Sequence, residues 1–437
     1  MGRIHIKDIR GHIGQEVTLA GFVHTVRNQG NIVFLMLYDI SGSVQVVITK
    51  DYLSIIKTAK NLSEESVVQV TGIAKTEAQS PGGIEIACRT LTILSAADPN
   101  TPIPVIGKQE SEVELDKRLD WRWLDLRKPK NTLIFKVWTI MEQAFREYWI
   151  QNGYIEIHSP KFMSTPSETG AELFEVKYFD RKAYLAQSPQ FYKQMAMAAG
   201  FEKVFEVGPV FRANPSFTSR HDTEFTGYDA EISFIESHQD VMTEEQNVIQ
   251  YVLQKIKEKF GKEISMFYGR DLIVPSIPFP RVTMKQAKGI LAKLNVPGEK
   301  DGDLSPGEER KLCEYIYEKQ GHEFVFVTEY PVSARPFYHM RTEKDPTLTK
   351  SFDLLWNGLE ITTGAQREHR YDILTLQAKE KGISLESIKF YLNFFKYGCP
   401  PHGGMGIGPS RMLMKIFNVS NVREVTYLYR GVKRLDP

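Results

Sequence analysis

The chain has 437 residues, 42% hydrophobic and 25% charged, enough for two or three globular domains with substantial cores. Lys and Arg (55) nearly balance Asp and Glu (54), so no chain-wide basic field marks a nucleic-acid partner, although a local patch can still supply phosphate contacts. Cys88, Cys313 and Cys399 are far apart, which argues against a disulfide framework or zinc site and fits a reducing compartment. The first ten residues, MGRIHIKDIR, lack the apolar stretch of a signal peptide, and no apolar run approaches the roughly 18 residues of a membrane span. A cytoplasmic protein with no membrane partner is expected.

Residues 1–100 contain five short β-like runs: VTLAGFV (17–23), NIVFLMLYD (31–39), SVQVVI (43–48), VVQVTGI (67–73) and IEIACRTLTIL (84–94). One helical segment, YLSIIKTAKNL, interrupts them. Five strands with an interrupting helix predict a small closed barrel, the oligonucleotide-binding (OB) fold first and any other small barrel or sandwich as the alternative. Residues 101–130 read as a linker and hinge: prolines at 99, 102 and 104 stiffen its start, and LDKRLDWRWLDLRKPK (115–130) follows, dense in Arg and Trp. Residues 131–437 form the larger domain. Ile134, Val137, Trp138, Met141, Phe145 and Trp149 recur at helical spacing, which predicts a helix from Asn131 to Asn152. Beyond it, strands and helices alternate without a βαβ rhythm, favouring an antiparallel sheet flanked by helices, an α+β class. The segment of about 239–330 reads as a helical insertion.

Two motifs carry chemistry. FRANPSFTSRH (211–221) is a strand, a polar loop and a return strand bearing Arg212, Arg220 and His221. GMGIGPSR (404–411) is a glycine run that opens a helix and ends in Arg411. Taken alone, each arginine could belong to a surface ion-pair loop, and a G-x-G run is weak evidence. In this order they resemble the second and third signature motifs of class II aminoacyl-tRNA synthetases. GYIEIHSP (153–160), following the long helix, resembles the first motif, which implies a homodimer. The whole chain resembles the aspartyl-tRNA synthetases of the compact, archaeal-like kind.

The resemblance implies an N-terminal OB-fold anticodon domain, a catalytic antiparallel sheet, and ligation of L-aspartate to tRNA with ATP and Mg²⁺. Arg212, Glu360 and Arg411 are the expected catalytic residues. Arg212 would fork onto the α-phosphate, Arg220 and His221 would hold the outer phosphates, and Arg411 would stack on adenine. Ala213, Asn214, Asp222, Gly408, Pro409 and Ser410 complete the expected ATP site, with Asn214 standing where the family usually has Glu. The glycines at 403, 404, 406 and 408 are expected to let a flat purine approach the backbone. Asp353, Glu360 and Thr363 would hold the metal. Lys193 and Arg367 would grip the aspartate side chain, with Gln190, Phe191, Tyr192 and Thr363 around it and Glu168 or Asp229 on its ammonium group.

Arg27, Phe34, Gln45 and Glu85 match positions that read the middle anticodon base, although Phe34 could equally fill the barrel core. His24 and Pro81 stand where relatives that reject tRNA(Asn) tend to carry Trp and Lys. This resembles the relaxed type that aspartylates both tRNA(Asp) and tRNA(Asn). A strictly tRNA(Asp)-specific ligase, an asparaginyl enzyme and a non-catalytic RNA-binding paralogue are the rivals. Tyr429 replaces a Pro that usually precedes the last Arg, with no consequence readable from sequence.

Overall fold

A computed structural model describes residues 2–105, 113–165, 172–215 and 218–436. Two compact units emerge, Met1–Pro129 and Lys130–Pro437. The first runs β1 (Glu16–Gln29), β2 (Ile32–Asp39), β3 (Gly42–Ile48), α1 (Leu53–Lys60), β4 (Val67–Thr76) and β5 (Ile84–Ser95), then the short helices α2 (Leu115–Asp120) and α3 (Arg122–Asp125). The strands close into a barrel in the order β1-β2-β3-β5-β4. Period-2 alternation sends Val33, Leu35 and Leu37 of β2 inward, where they meet Val17, Leu19, Val46 and Ile86. Phe34, on the opposite face of β2, is only partly buried and lies outside this core. Closure brings strands tightly together at Gly21, where a Cβ would collide with the carbonyl of Tyr38.

The stretch expected to be a linker includes folded helix within its described part. Asp125 is fully buried and takes Arg118 at 3.1 Å, Arg122 at 2.8 Å and Lys128 at 3.1 Å. One carboxylate satisfying three cations ties α2 and α3 to the chain that follows.

The second unit begins with α4 (Pro129–Gln151), β6 (Ile155–Glu156), β7 (Phe162–Met163), β8 (Glu175–Tyr178), β9 (Arg181–Leu185), α5 (Gln190–Ala198), β10 (Lys203–Phe211) and β11 (Glu224–Ser233). It continues through α6 (His238–Tyr268), β12 (Arg281–Thr283), α7 (Met284–Lys293), α8 (Pro306–Gln320), β13 (Phe324–Thr328), β14 (Ser351–Trp356) and β15 (Leu359–Gln366). The last elements are α9 (Tyr371–Glu380), α10 (Lys389–Lys396), β16 (His402–Ile407), α11 (Pro409–Ile416) and α12 (Val422–Val425). Eight strands form one sheet in the order β12-β13-β14-β15-β16-β11-β10-β6. Its six central strands pair antiparallel, while β12 and β6 add a parallel strand at each edge. The strands β7, β9 and β8 make a separate small sheet.

The segment of about 239–330 is not purely helical. It holds α6, α7 and α8, the last capped by a reciprocal Ser305–Glu308 box and closed by left-handed Gly321, but it also supplies β12 and β13 to the main sheet. Every residue of β13, FVFVT, is buried, so the strand lacks the alternation of a half-exposed one. Among the described residues no helix is long and apolar enough to cross a membrane.

Candidate active site

The central strands β10, β11, β15 and β16 floor a cavity of about 330 Å³ in the second unit. At one end, α5 presents Gln190 and Lys193, one helical turn apart, to the cavity. Phe191 and Tyr192 fall on the other faces of that turn. Phe191 stacks on Tyr391 with ring centroids 4.1 Å apart, inside an aromatic cluster, and neither residue lines the cavity.

Lys193 is buried and its Nζ meets Asp229 Oδ1 at 2.9 Å, Glu231 Oε2 at 3.3 Å and the Met405 carbonyl at 3.2 Å. Arg367 is equally buried. Its Nε donates to Glu231 Oε1 at 2.9 Å and its Nη2 to Oε2 at 3.3 Å, a forked pair. Nη1 donates to His339 Nε2 at 3.0 Å. Burial alone would raise the Glu231 carboxyl, but Arg367 and then Lys193 overcome that and hold it below its usual range. Two cations and two carboxylates thus form one desolvated network.

The glycine run makes room for this network. Asp229 pairs in register with Gly406, and Glu231 with Gly404. A Cβ on Gly404 would collide with the Glu231 carboxylate, and one on Gly406 would come within 3.3 Å of Asp229 Oδ1. At Gly404 the missing side chain makes room for the Glu231 carboxylate of the neighbouring strand, while Gly406 both lines the cavity and leaves room for Asp229. Gly408, Ser410 and Arg411 do line the cavity, whereas Pro409 does not.

Gln190 is braced from behind. Its Nε2 donates to Gln194 Oε1 at 2.8 Å, Tyr391 OH donates to the same oxygen at 3.0 Å, and Gln194 Nε2 donates to His402 Nε2 at 3.0 Å. His402 Nδ1–H donates to the Pro400 carbonyl at 2.8 Å, and burial pushes its pKa down from 6.5 to about 4. Between those values the unfolded chain takes up a proton that the folded one refuses, so stability present above pH 6.5 is lost as pH falls toward 4. The melting temperature should therefore drop between pH 7 and pH 5, and His402→Gln, which cannot titrate, should drop less. An equal drop in both proteins places the acid sensitivity elsewhere.

At the other end of the cavity stand the two motif arginines. Arg212 is held by its N–H to the Thr223 carbonyl at 2.9 Å, with its guanidinium 5.6 Å from the Phe225 ring centre. Arg411 Nη1 donates to the Glu360 carbonyl at 2.8 Å and to its Oε1 at 3.1 Å. Arg220 pairs with Glu309 of α8 at 2.7 Å, so the segment expected to be an insertion reaches the site. His221 is held below its usual pKa by burial first and Arg411 second. Burial pushes Asp222 up to about 7. Asn214 lines the cavity; Ala213 does not, its N–H being given to the Glu172 carbonyl at 2.8 Å. Tyr429 donates to the His221 carbonyl at 3.4 Å and lies under Arg423, which gives this side chain a supporting place behind the motif.

Glu360 and Thr363 are cavity residues, and the Thr363 hydroxyl donates to Glu360 Oε1 at 3.4 Å. Asp353 faces Thr363 across β14 and β15 but is buried behind the wall, its Oδ2 taking Arg335 Nη2 at 2.7 Å. Its Oδ1 is buried with no partner among the described residues. A cluster of three or more His, Cys, Asp or Glu able to hold a metal is absent among the described residues. Mg²⁺ asks for less, since one or two carboxylates plus phosphate oxygens suffice. The unpartnered Asp353 oxygen and the Glu360 carboxylate fit that donor set. Glu168 lies outside the described residues.

Sequence reasoning missed Glu231, His339 and Arg335. Glu231 was recoverable: it stands two residues after Asp229 on a strand, hence on the same face.

The family profile described as tRNA synthetases class II (D, K and N) matches residues 114–430. The chain belongs to this family. A second profile, described as an OB-fold nucleic acid binding domain, matches residues 17–94 of this synthetase. An aspartate–tRNA(Asp/Asn) ligase of Methanopyrus kandleri is 44% identical to it over 97% of this chain and 96% of the relative. An aspartate–tRNA(Asp) ligase of Pyrococcus abyssi is 42% identical over 97% of both. Among solved structures, an asparaginyl-tRNA synthetase of Pyrococcus horikoshii complexed with asparaginyl-adenylate matches the synthetase over 100% of both chains, with a TM-score of 0.93 and 33% identity. The backbone is thus common to aspartyl and asparaginyl enzymes, and the amino acid must be read from the side chains in the cavity.

Proposed function

We propose that this synthetase is an aspartate–tRNA ligase charging both tRNA(Asp) and tRNA(Asn). The observation that carries the amino acid is the pair of buried cations, Lys193 and Arg367, converging at one end of the cavity. Asp229 takes the substrate's ammonium group, and Lys193 then turns its charge to the side-chain carboxylate. An asparagine amide would present N–H donors to the same ammonium and leave both unpaired, a mismatch that a hydrogen-bonding site rejects strongly. Relatives at 42–44% identity carry aspartate ligase names, which supports the same choice.

The α-carboxylate oxygen of aspartate attacks the α-phosphorus of ATP and pyrophosphate leaves. The 3′-hydroxyl of the terminal tRNA adenosine then attacks the acyl carbon and AMP leaves. Arg212 neutralises charge on the α-phosphate during the first step, Arg411 covers the adenine, and Arg220 exchanges Glu309 for a phosphate oxygen. Glu360 and Asp353, with the Thr363 hydroxyl, would hold Mg²⁺, which would supply charge neutralisation on the phosphates. A homodimer in the cytoplasm is the working form.

In the barrel, exposed Arg27 pairs in register with Phe34, and Gln45 with Glu85. Gln45 Nε2 donates to Ser80 Oγ at 2.9 Å and Ser80 Oγ to Glu85 Oε2 at 3.1 Å, beside Pro81, so the turn expected to set tRNA choice adjoins the groups expected to read the anticodon. Phe34 faces away from the core and is available to stack on a base. His24 packs edge-on to Tyr38 with centroids 6.4 Å apart.

Charging of unmodified transcripts tests the reading. Aspartylation of tRNA(Asn) should come within about tenfold of tRNA(Asp) in kcat/KM, a gap of about 1.4 kcal/mol. Charging of tRNA(Asp) alone would reduce the enzyme to a tRNA(Asp)-specific ligase, and ATP–pyrophosphate exchange with asparagine only would reject aspartate altogether.

A further inference from the structure

His339 stands outside every signature motif, yet its ring sits against the arginine that grips the amino-acid side chain. The placement is set by the backbone: residues 339 and 367 form an isolated antiparallel bridge, so the two side chains leave adjacent segments together. Gln377 Nε2 clamps the segment by donating to the carbonyls of Phe337 at 2.6 Å and His339 at 3.2 Å.

The hydrogen-bond chemistry fixes the ring's state. A guanidinium only donates, so His339 Nε2, 3.0 Å from Arg367 Nη1, must present a lone pair. The proton is then on Nδ1 and the ring is neutral. Burial first, and the charge of Arg367 second, push the imidazole well below its usual pKa, in agreement with that tautomer. Nδ1 is itself buried with no partner among the described residues. An unmade buried donor is unfavourable, and a leucine filling the same space would not carry it. A histidine at this place has its value in the acceptor it offers Arg367.

We propose that His339 is a positioning residue that fixes the direction of the Arg367 guanidinium and thereby sets selectivity for aspartate over asparagine. Glu231 binds the Nε edge of Arg367, and His339 binds Nη1, so the plane of the fork is held from two sides. A second carboxylate, in place of His339, would also orient the guanidinium, but added to Glu231 it would leave Arg367 no net charge to attract the substrate. A neutral lone pair orients it without that cancellation. The inference rests on the aspartate reading given above.

Steady-state ATP–pyrophosphate exchange on the full chain tests it, with aspartate and asparagine as alternative substrates. His339→Leu keeps the bulk and removes the acceptor. It should raise KM for aspartate about tenfold, leave KM for ATP within about twofold, and narrow the preference for aspartate over asparagine. His339→Gln, whose amide oxygen can take the place of Nε2, should stay within about threefold of wild type. An unchanged KM for aspartate in His339→Leu overturns the proposal, as does an equal rise in both KM values, which marks a structural role. If His339→Leu does not fold, His339→Asn, whose shorter amide falls short of Nη1, decides by the same readout. Wild-type enzyme inactive with aspartate would instead defeat the aspartate reading itself.

Discussion

Replacing Lys193 with methionine is expected to lower aspartate-dependent ATP–pyrophosphate exchange about a thousandfold in kcat/KM, close to 4 kcal/mol. The size follows from burial. Lys193 is 2% exposed, so neither water nor salt can stand in for its ammonium group. The same substitution strands Asp229, which Lys193 holds at 2.9 Å, and takes from Glu231 the second of its two cations, at 3.3 Å. Breaking a buried ion pair from one side costs roughly 3–5 kcal/mol, so the single variant should also melt earlier. The two losses can be separated. Lys193→Met combined with Asp229→Asn removes a cation and an anion together, and should recover much of the melting temperature while activity stays lost. A single variant that keeps exchange within tenfold of wild type contradicts the assignment of Lys193 to the amino acid.

The barrel was legible because its strands are half-buried and alternate: the five β-like runs expected between residues 17 and 94 coincide with β1 to β5. The main sheet was legible only at its centre. The edge strands β6 and β12 are two and three residues long, too short for any periodicity to register. In β13, burial on both faces erases alternation, which is why a strand of the sheet was folded into an expected helical insertion.

The site divides along a similar line. Arg212, Arg220, His221 and Arg411 announce themselves because they lie in contiguous motifs. Lys193 and Arg367 were found through resemblance. Glu231 was signalled only by its spacing from Asp229, and His339 by nothing, because its role exists only through its bridge to Arg367. The glycines illustrate the limit most clearly. From sequence they mark a place where side chains are unwelcome, but what excludes the side chains, a purine or two carboxylates of the next strand, depends on register.

Arg212 carries the second large effect. Arg212→Ala should lower kcat of adenylate formation about a thousandfold, near 4 kcal/mol, with smaller changes in KM for ATP and aspartate. That asymmetry follows from the chemistry: charge grows on the α-phosphate oxygens only as the carboxylate attacks, so the fork binds the transition state more tightly than ATP itself. No neighbour can substitute. Burial first and Arg411 second hold His221 below its usual pKa, which weakens it as a cation, while Arg220 and Arg411 are assigned to the outer phosphates and the adenine. Arg212→Lys sharpens the test, because it keeps the charge and removes the planar pair of donors. It should regain no more than about tenfold of the loss, if two-point geometry rather than charge alone stabilises the phosphate. Full recovery by lysine would show that the field suffices and the fork does not matter. Rapid-mixing measurement of single-turnover adenylate formation, with both substrates saturating, reads this step without interference from tRNA charging or product release.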